Sequence, residues 1–207
     1  MEIAELFTKG GSIMYLLLAV SIAVAAIAIE RLNFYNYADN DCEKFLDALK
    51  NNLKNQSLSE VANFCHNEKN IVSEVAFAGV FAAAQNENIE LALETAYIEA
   101  AVKLRARLNY LSMIVTLSPL LGLLGTIFGM IDAFNIFNLQ AGQPMAITGG
   151  IGEALIATAT GLCVAIFALI VHTYFAQKLD EMLTKIETAE NIVLSNLARK
   201  GETDETP

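Results

Sequence analysis

Three long apolar runs break up an otherwise polar chain. The first, Ile13 to Ile29, carries no charge. Counted back over Gly10-Gly11-Ser12, it reaches the roughly 20 residues that a helix needs to cross a bilayer. The second starts near Leu108 and runs to about Phe137, interrupted only by Asp132. The third runs from Ile151 to about Phe175, with Glu153 near its start. The pattern predicts three membrane-spanning helices.

The segments between and after the runs carry a helical period. Cys42, Phe45, Leu46, Leu49 and Leu53 recur at steps of three and four and form one amphipathic stripe. Ser57-Leu58-Ser59-Glu60 is a capping-box pattern that opens a second short helix. A third covers about Ile71 to Gln85 with small residues Ala76, Gly79, Ala82 and Ala83, and Asn86 to Asn88 marks a break. From Ile89 to Ser118 there is no Gly or Pro. One helix is therefore expected from about residue 89 to about 135, roughly 70 Å at 1.5 Å per residue. Pro119 should kink it inside the bilayer. After the third run, Leu179, Met182, Leu183, Ile186, Val193, Leu194 and Leu197 continue a stripe to about Arg199, and Gly201 to Pro207 read as disordered.

Composition agrees with a chain partly in lipid. It is 55% hydrophobic and 17% charged, against about 45–50% and about 25% for a soluble domain. The net charge of −10 is unevenly placed, and no basic residue lies between Arg107 and Lys178. Clustered Lys and Arg, which a nucleic-acid binder needs, are missing. Three Cys in 207 residues argue against a disulfide scaffold. Cys65-His66 lacks further ligands at metal spacing, and no catalytic set is visible, so neither a metal site nor an enzyme is expected. His172, near the end of the third run, reads as a packing residue. A cleaved leader is disfavoured, because Glu2 and Glu5 outnumber Lys9 and the first run ends in Glu30-Arg31.

Basic residues near the helix ends set the orientation. Arg31 follows the first span, Lys103, Arg105 and Arg107 precede the second, and Lys178 and Lys185 follow the third. The reading is an outer N-terminus over 1–12, a first span over 13–31 and a cytoplasmic helical region over 32–107. A second span over 108–137, an outer loop over 138–150 and a third span over 151–176 follow, then a cytoplasmic helix and tail over 177–207. Cys42 and Cys65 would be cytoplasmic and reduced, and Cys163 would lie in the third span.

The chemistry inside the spans is sparse. Gly122, Gly125, Thr126 and Gly129 share a face of the second helix, and Ala154, Ala157, Thr158, Gly161, Ala165 and Ala168 share one of the third. Small residues let helix backbones approach closely in lipid. Glu153 has two readings. An intramembrane carboxylate normally faces a protein interior or a water path, but an acid in a first helical turn is also favoured by the macrodipole. Thr126 and Thr158 could face a pathway or bond their own backbone. Asp132, near the outer end of its helix, reads as interfacial.

Two segments resemble the span signatures of the ExbB/TolQ/MotA proton-channel family. They are Leu117-Ser118-Pro119-Leu120-Leu121-Gly122-Leu123-Leu124-Gly125-Thr126-Ile127-Phe128-Gly129 and Gly149-Gly150-Ile151-Gly152-Glu153-Ala154-Leu155-Ile156-Ala157-Thr158-Ala159-Thr160-Gly161-Leu162. Three spans point to the ExbB/TolQ branch, since the MotA branch usually has four. The cytoplasmic loop is shorter than in some members. The resemblance implies an all-α integral membrane fold, assembled as a homo-pentameric ring around two copies of an ExbD/TolR-like single-span partner. It implies pore positions at Thr126, Glu153 and Thr158; the small faces themselves predict helix packing at Gly122, Gly125, Gly129 and Gly161, and no cofactor is expected. The coupling ion would be H⁺, with Na⁺ left open. The implied setting is the bacterial inner membrane, with work delivered to a TonB-like transducer for nutrient import or to a TolA-like one for envelope maintenance. A membrane scaffold without ion flux is the competing class.

Overall fold

The computed structural model describes residues 10–139 and 144–204, with side chains over 10–135 and 148–197. Every element among them is an α-helix: α1 (Ile13–Ala38), α2 (Cys42–Asn55), α3 (Leu58–Asn67), α4 (Ile71–Ala84), α5 (Ile89–Arg105), α6 (Leu108–Leu139) and α7 (Pro144–Asp204). Three stretches of helix are long and apolar enough to cross a membrane. The helices divide between two compact units, one from Met1–Glu30 and Arg107–Phe175, the other from Arg31–Ala106 and Ala176–Pro207. Residues 1–9, 140–143 and 205–207, which carry parts of the expected outer N-terminus, outer loop and disordered tail, lie outside the described residues.

The first unit is held by backbone-to-backbone packing of α6 on α7. A Cβ added at Gly161 would lie 2.6 Å from the Ser118 carbonyl oxygen and 2.9 Å from Gly122 Cα. One at Gly125 would lie 2.6 Å from Ala157 Cβ, and one at Gly129 would lie 3.2 Å from the Gly150 carbonyl oxygen. Such contacts are how helices associate where lipid supplies no hydrophobic drive. Large apolar side chains cover the outside: Leu120, Ile127, Phe134, Leu155, Ile166 and Ile170 are all exposed. That surface suits lipid or other membrane helices, not water.

Pro119 lies inside α6, which continues through it. The buried Ser118 hydroxyl donates to the Ile114 carbonyl at 2.8 Å, and Thr116 donates to the Ser112 carbonyl at 3.0 Å. Both hydroxyls thus bond carbonyls of their own helix just ahead of the proline.

The second unit has a conventional core. Cys42, Phe45, Leu49 and Leu53 of α2 are buried, as are Met182, Ile186 and Val193 of α7. The capping box at Ser57 is formed: Glu60 N–H donates to Ser57 Oγ, and Ser57 N–H donates to Glu60 Oε2 at 3.0 Å. Asn70 and Asn88 cap α4 and α5 by accepting from the Ser73 and Leu91 amides, at 2.7 and 3.0 Å. Asn86, in the expected break, takes a positive φ of 57°.

Three sequence expectations need correction. The single helix over 89–135 is two. α5 ends at Arg105, Ala106 is extended with ψ 137°, and Arg107 is left-handed with φ 67°. No Gly or Pro marks this break; partners from α1 accompany it. Tyr35 donates its hydroxyl to the Leu104 carbonyl at 2.9 Å, and Arg31 Nη1 donates to the Lys103 carbonyl at 3.2 Å. Carbonyls in a last helical turn lack intrahelical partners, so side-chain donors can hold a helix end there. Arg107 pairs with Glu30. Second, α1 begins at Ile13 and does not extend back over Gly10–Ser12, because Gly11 turns the chain at φ 72°. Third, α7 begins at Pro144 and is helical to Asp204, earlier and later than expected. Glu153 is therefore well past the first turn of its helix, and its own helix dipole does not account for it.

Candidate ion-path residues

The membrane unit places three polar side chains in different settings. Thr126 on α6 donates to the Leu123 carbonyl of its own helix at 2.6 Å. Thr158 on α7 donates across the helix pair to the Gly122 carbonyl at 3.0 Å. The two backbones approach closely here: a Cβ at Gly122 would sit 3.1 Å from Thr158 Cα.

Glu153 is half-buried. Its carboxylate fills the space beside Gly11, where an added Cβ would overlap Oε1 and lie 3.3 Å from Cδ. Five residues separate Glu153 from Thr158, about 140° around a helix of 3.6 residues per turn. Among the described residues, no hydrogen bond joins Thr126, Glu153 and Thr158.

The other candidates fall outside this group. Asp132 is exposed on α6 and His172 is partly exposed on α7. Cys42 and Cys65 are buried free thiols. Burial pushes Cys65 up to about 12, and burial followed by the nearby Asp39 carboxylate pushes Cys42 up to about 11. Both are unreactive at neutral pH. No group of His, Cys, Asp and Glu side chains among the described residues is arranged to hold a metal.

Sequence reasoning overlooked Gly11 as more than span length. A Gly-Gly pair just ahead of an apolar helix is the signal that could have raised it. It also overlooked Arg31 and Tyr35 as donors to the end of α5. Nothing in their spacing points there.

Known proteins agree with the signatures. The sequence model of the MotA/TolQ/ExbB proton channel family matches residues 67–188. The biopolymer transport protein ExbB-like 1 of Synechocystis sp. is 35% identical over 174 residues, which is 80% of this chain and 67% of that protein. An ExbB homologue among the biopolymer transport proteins of Methanothermobacter thermautotrophicus is 27% identical over 190 residues, 89% of this chain and 67% of that one. The Tol-Pal system protein TolQ of Pseudomonas aeruginosa is 32% identical over 128 residues, 61% of this chain and 55% of that one. With the family match covering more than half of its length and three apolar helices long enough to span a bilayer, the chain is a multi-pass membrane protein that belongs to the MotA/TolQ/ExbB proton channel family.

Proposed function

We propose that this chain is the channel-forming motor subunit of an inner-membrane complex that turns the proton-motive force into mechanical work. The observation that carries the proposal is Glu153, a carboxylate inside an apolar helix that its own helix terminus does not explain. In this reading five copies form a ring around two copies of an ExbD/TolR-like single-span partner. Thr126, Glu153 and Thr158 line the ion path, and the partner carries the titrating aspartate. A five-fold ring cannot satisfy a two-fold partner at every contact, so neutralising one partner carboxylate shifts the preferred register. H⁺ is the coupling ion of this proposal. The N-terminus is periplasmic and the C-terminus cytoplasmic.

Work on a TonB-like transducer for nutrient import is the leading role, and work on a TolA-like transducer for envelope maintenance is the alternative. Relatives named ExbB-like and TolQ both resemble the chain. The transducer that co-purifies chooses between them.

One observation favours a different class. The Thr126 and Thr158 hydroxyls already have carbonyl partners, as packing residues of a membrane scaffold would. Co-expression with the single-span partner, followed by native mass spectrometry, tests the assembly. Five copies with two partners are expected. A monomer, or a complex that excludes the partner, would overturn the ring.

A further inference from the structure

We propose that Gly11 is a positioning residue for the Glu153 carboxylate: the left-handed turn ahead of α1 is glycine so that the acid can seat against its backbone. The proposal rests on the reading of Glu153 as an ion-path residue.

Two independent features meet at this position. Gly11 adopts φ 72°, a conformation that L residues adopt at a cost. The direction in which a side chain would project is also occupied, by Glu153 Oε1 and Cδ. Backbone geometry alone would account for a glycine here. It would not require that the excluded volume be filled by the one carboxylate of α7 that lies inside the apolar run. The turn is anchored to α1, since Met14 N–H donates to the Gly11 carbonyl at 3.2 Å. Its neighbour Gly10 is similarly tight, with an added Cβ 3.3 Å from Ile156 Cγ2, one turn along α7 from Glu153. The Gly10–Gly11 pair thus lies along the same side of α7 as the acid.

The consequence is a fixed carboxylate. A Glu side chain has three rotatable bonds, and an intramembrane acid that moves a proton must present its oxygens at a constant place. The Gly11 turn limits where Oε1 can be and brings the start of α1 beside it. There the first amides have no intrahelical acceptor, and negative charge is favoured. A methyl group at position 11 would push the carboxylate away. Displacements of about 1 Å at a reacting group can cost about a hundredfold in rate.

The test uses the full complex with its single-span partner in proteoliposomes, reading proton flux as a function of pH. Gly11→Ala is expected to lower flux about 10- to 100-fold and to shift the pH profile. Glu153→Asp, one methylene shorter, withdraws the carboxylate from the occupied space. Whatever flux Glu153→Asp keeps, adding Gly11→Ala to it should cost little more, so the double variant should run at about the level of Glu153→Asp alone. Backbone strain from the alanine is the same in both backgrounds, so the difference between them isolates the contact from the strain. An equal loss from Gly11→Ala in both backgrounds, in flux or in the melting temperature of the complex, overturns the proposal, as does a Gly11→Ala complex with unchanged rate and pH profile. Full flux in Glu153→Gln would instead overturn the ion-path reading on which it rests.

Discussion

Thr158 on α7 donates its hydroxyl to the Gly122 carbonyl on α6 at 3.0 Å, tying the two apolar helices together at the level of their small faces. A Cβ at residue 122 would lie 3.1 Å from Thr158 Cα, so the glycine favours this close approach. Thr158→Val keeps the shape and removes the donor. It should destabilise the helix pair by about 0.6 kcal/mol, the usual worth of an interhelical hydrogen bond in lipid, while Thr158→Ser keeps the bond. Unfolding of the protein in mixed micelles checks this. Equal stability of the Val and Ser variants would contradict the bond.

Glycines in the same helix should separate by what surrounds them. Gly161→Ala would place a methyl group against the Ser118 carbonyl oxygen and Gly122 Cα, and it should loosen α6 from α7. Gly149 has nothing within 4 Å of an added Cβ. Gly149→Ala should be neutral, or stabilising by up to about 1 kcal/mol through helix propensity. Melting temperatures of the two variants, measured side by side, test the contrast.

Tyr35 should matter through its hydroxyl. The ring is buried and its oxygen donates to the last turn of α5. Burial, the main cause, pushes its pKa up to about 12, so it remains a donor throughout the neutral range. Tyr35→Phe leaves the Leu104 carbonyl without this partner and should cost about 1 kcal/mol. Hydrogen exchange at residues 102–106 should rise in the variant, and unchanged protection there would argue against the clamp.

The fold and the site were legible to different degrees. The apolar runs, the α2 stripe, the Ser57 capping box and the Asn86–Asn88 break are local signals, and all of them appear as local structure. The end of α5 at Arg105 is met by donors more than 60 residues away in sequence, and no Gly or Pro near Ala106 signals it. The same holds for Glu153 and Gly11. Each is visible alone, but their contact depends on how α1 enters beside α7. Glu153, Thr126 and Thr158 stand out in the sequence as polar residues inside apolar runs, the resemblance implies their shared role, and of the three the structure brings Thr158 into a cross-helix bond.

Acid–base behaviour outside the membrane offers another check. Burial, and next the Glu187 charge, raise the Glu190 carboxyl above its ordinary value. The ionised form is therefore disfavoured in the folded state. That cost is fully present above the raised folded value and is lost as pH falls below the unfolded one. Glu190→Gln should raise the melting temperature at neutral pH and leave it unchanged near pH ~4. A gain of equal size at both would show that charge is not the cause.

In the proposed motor, Glu153 serves ion movement rather than packing. The direct measurement is proton uptake by proteoliposomes containing the chain with its single-span partner, comparing wild type with Glu153→Gln after native mass spectrometry shows the same assembly. The variant should assemble, and its flux should fall to that of protein-free vesicles. Flux at the wild-type rate from an intact Glu153→Gln complex would contradict that role.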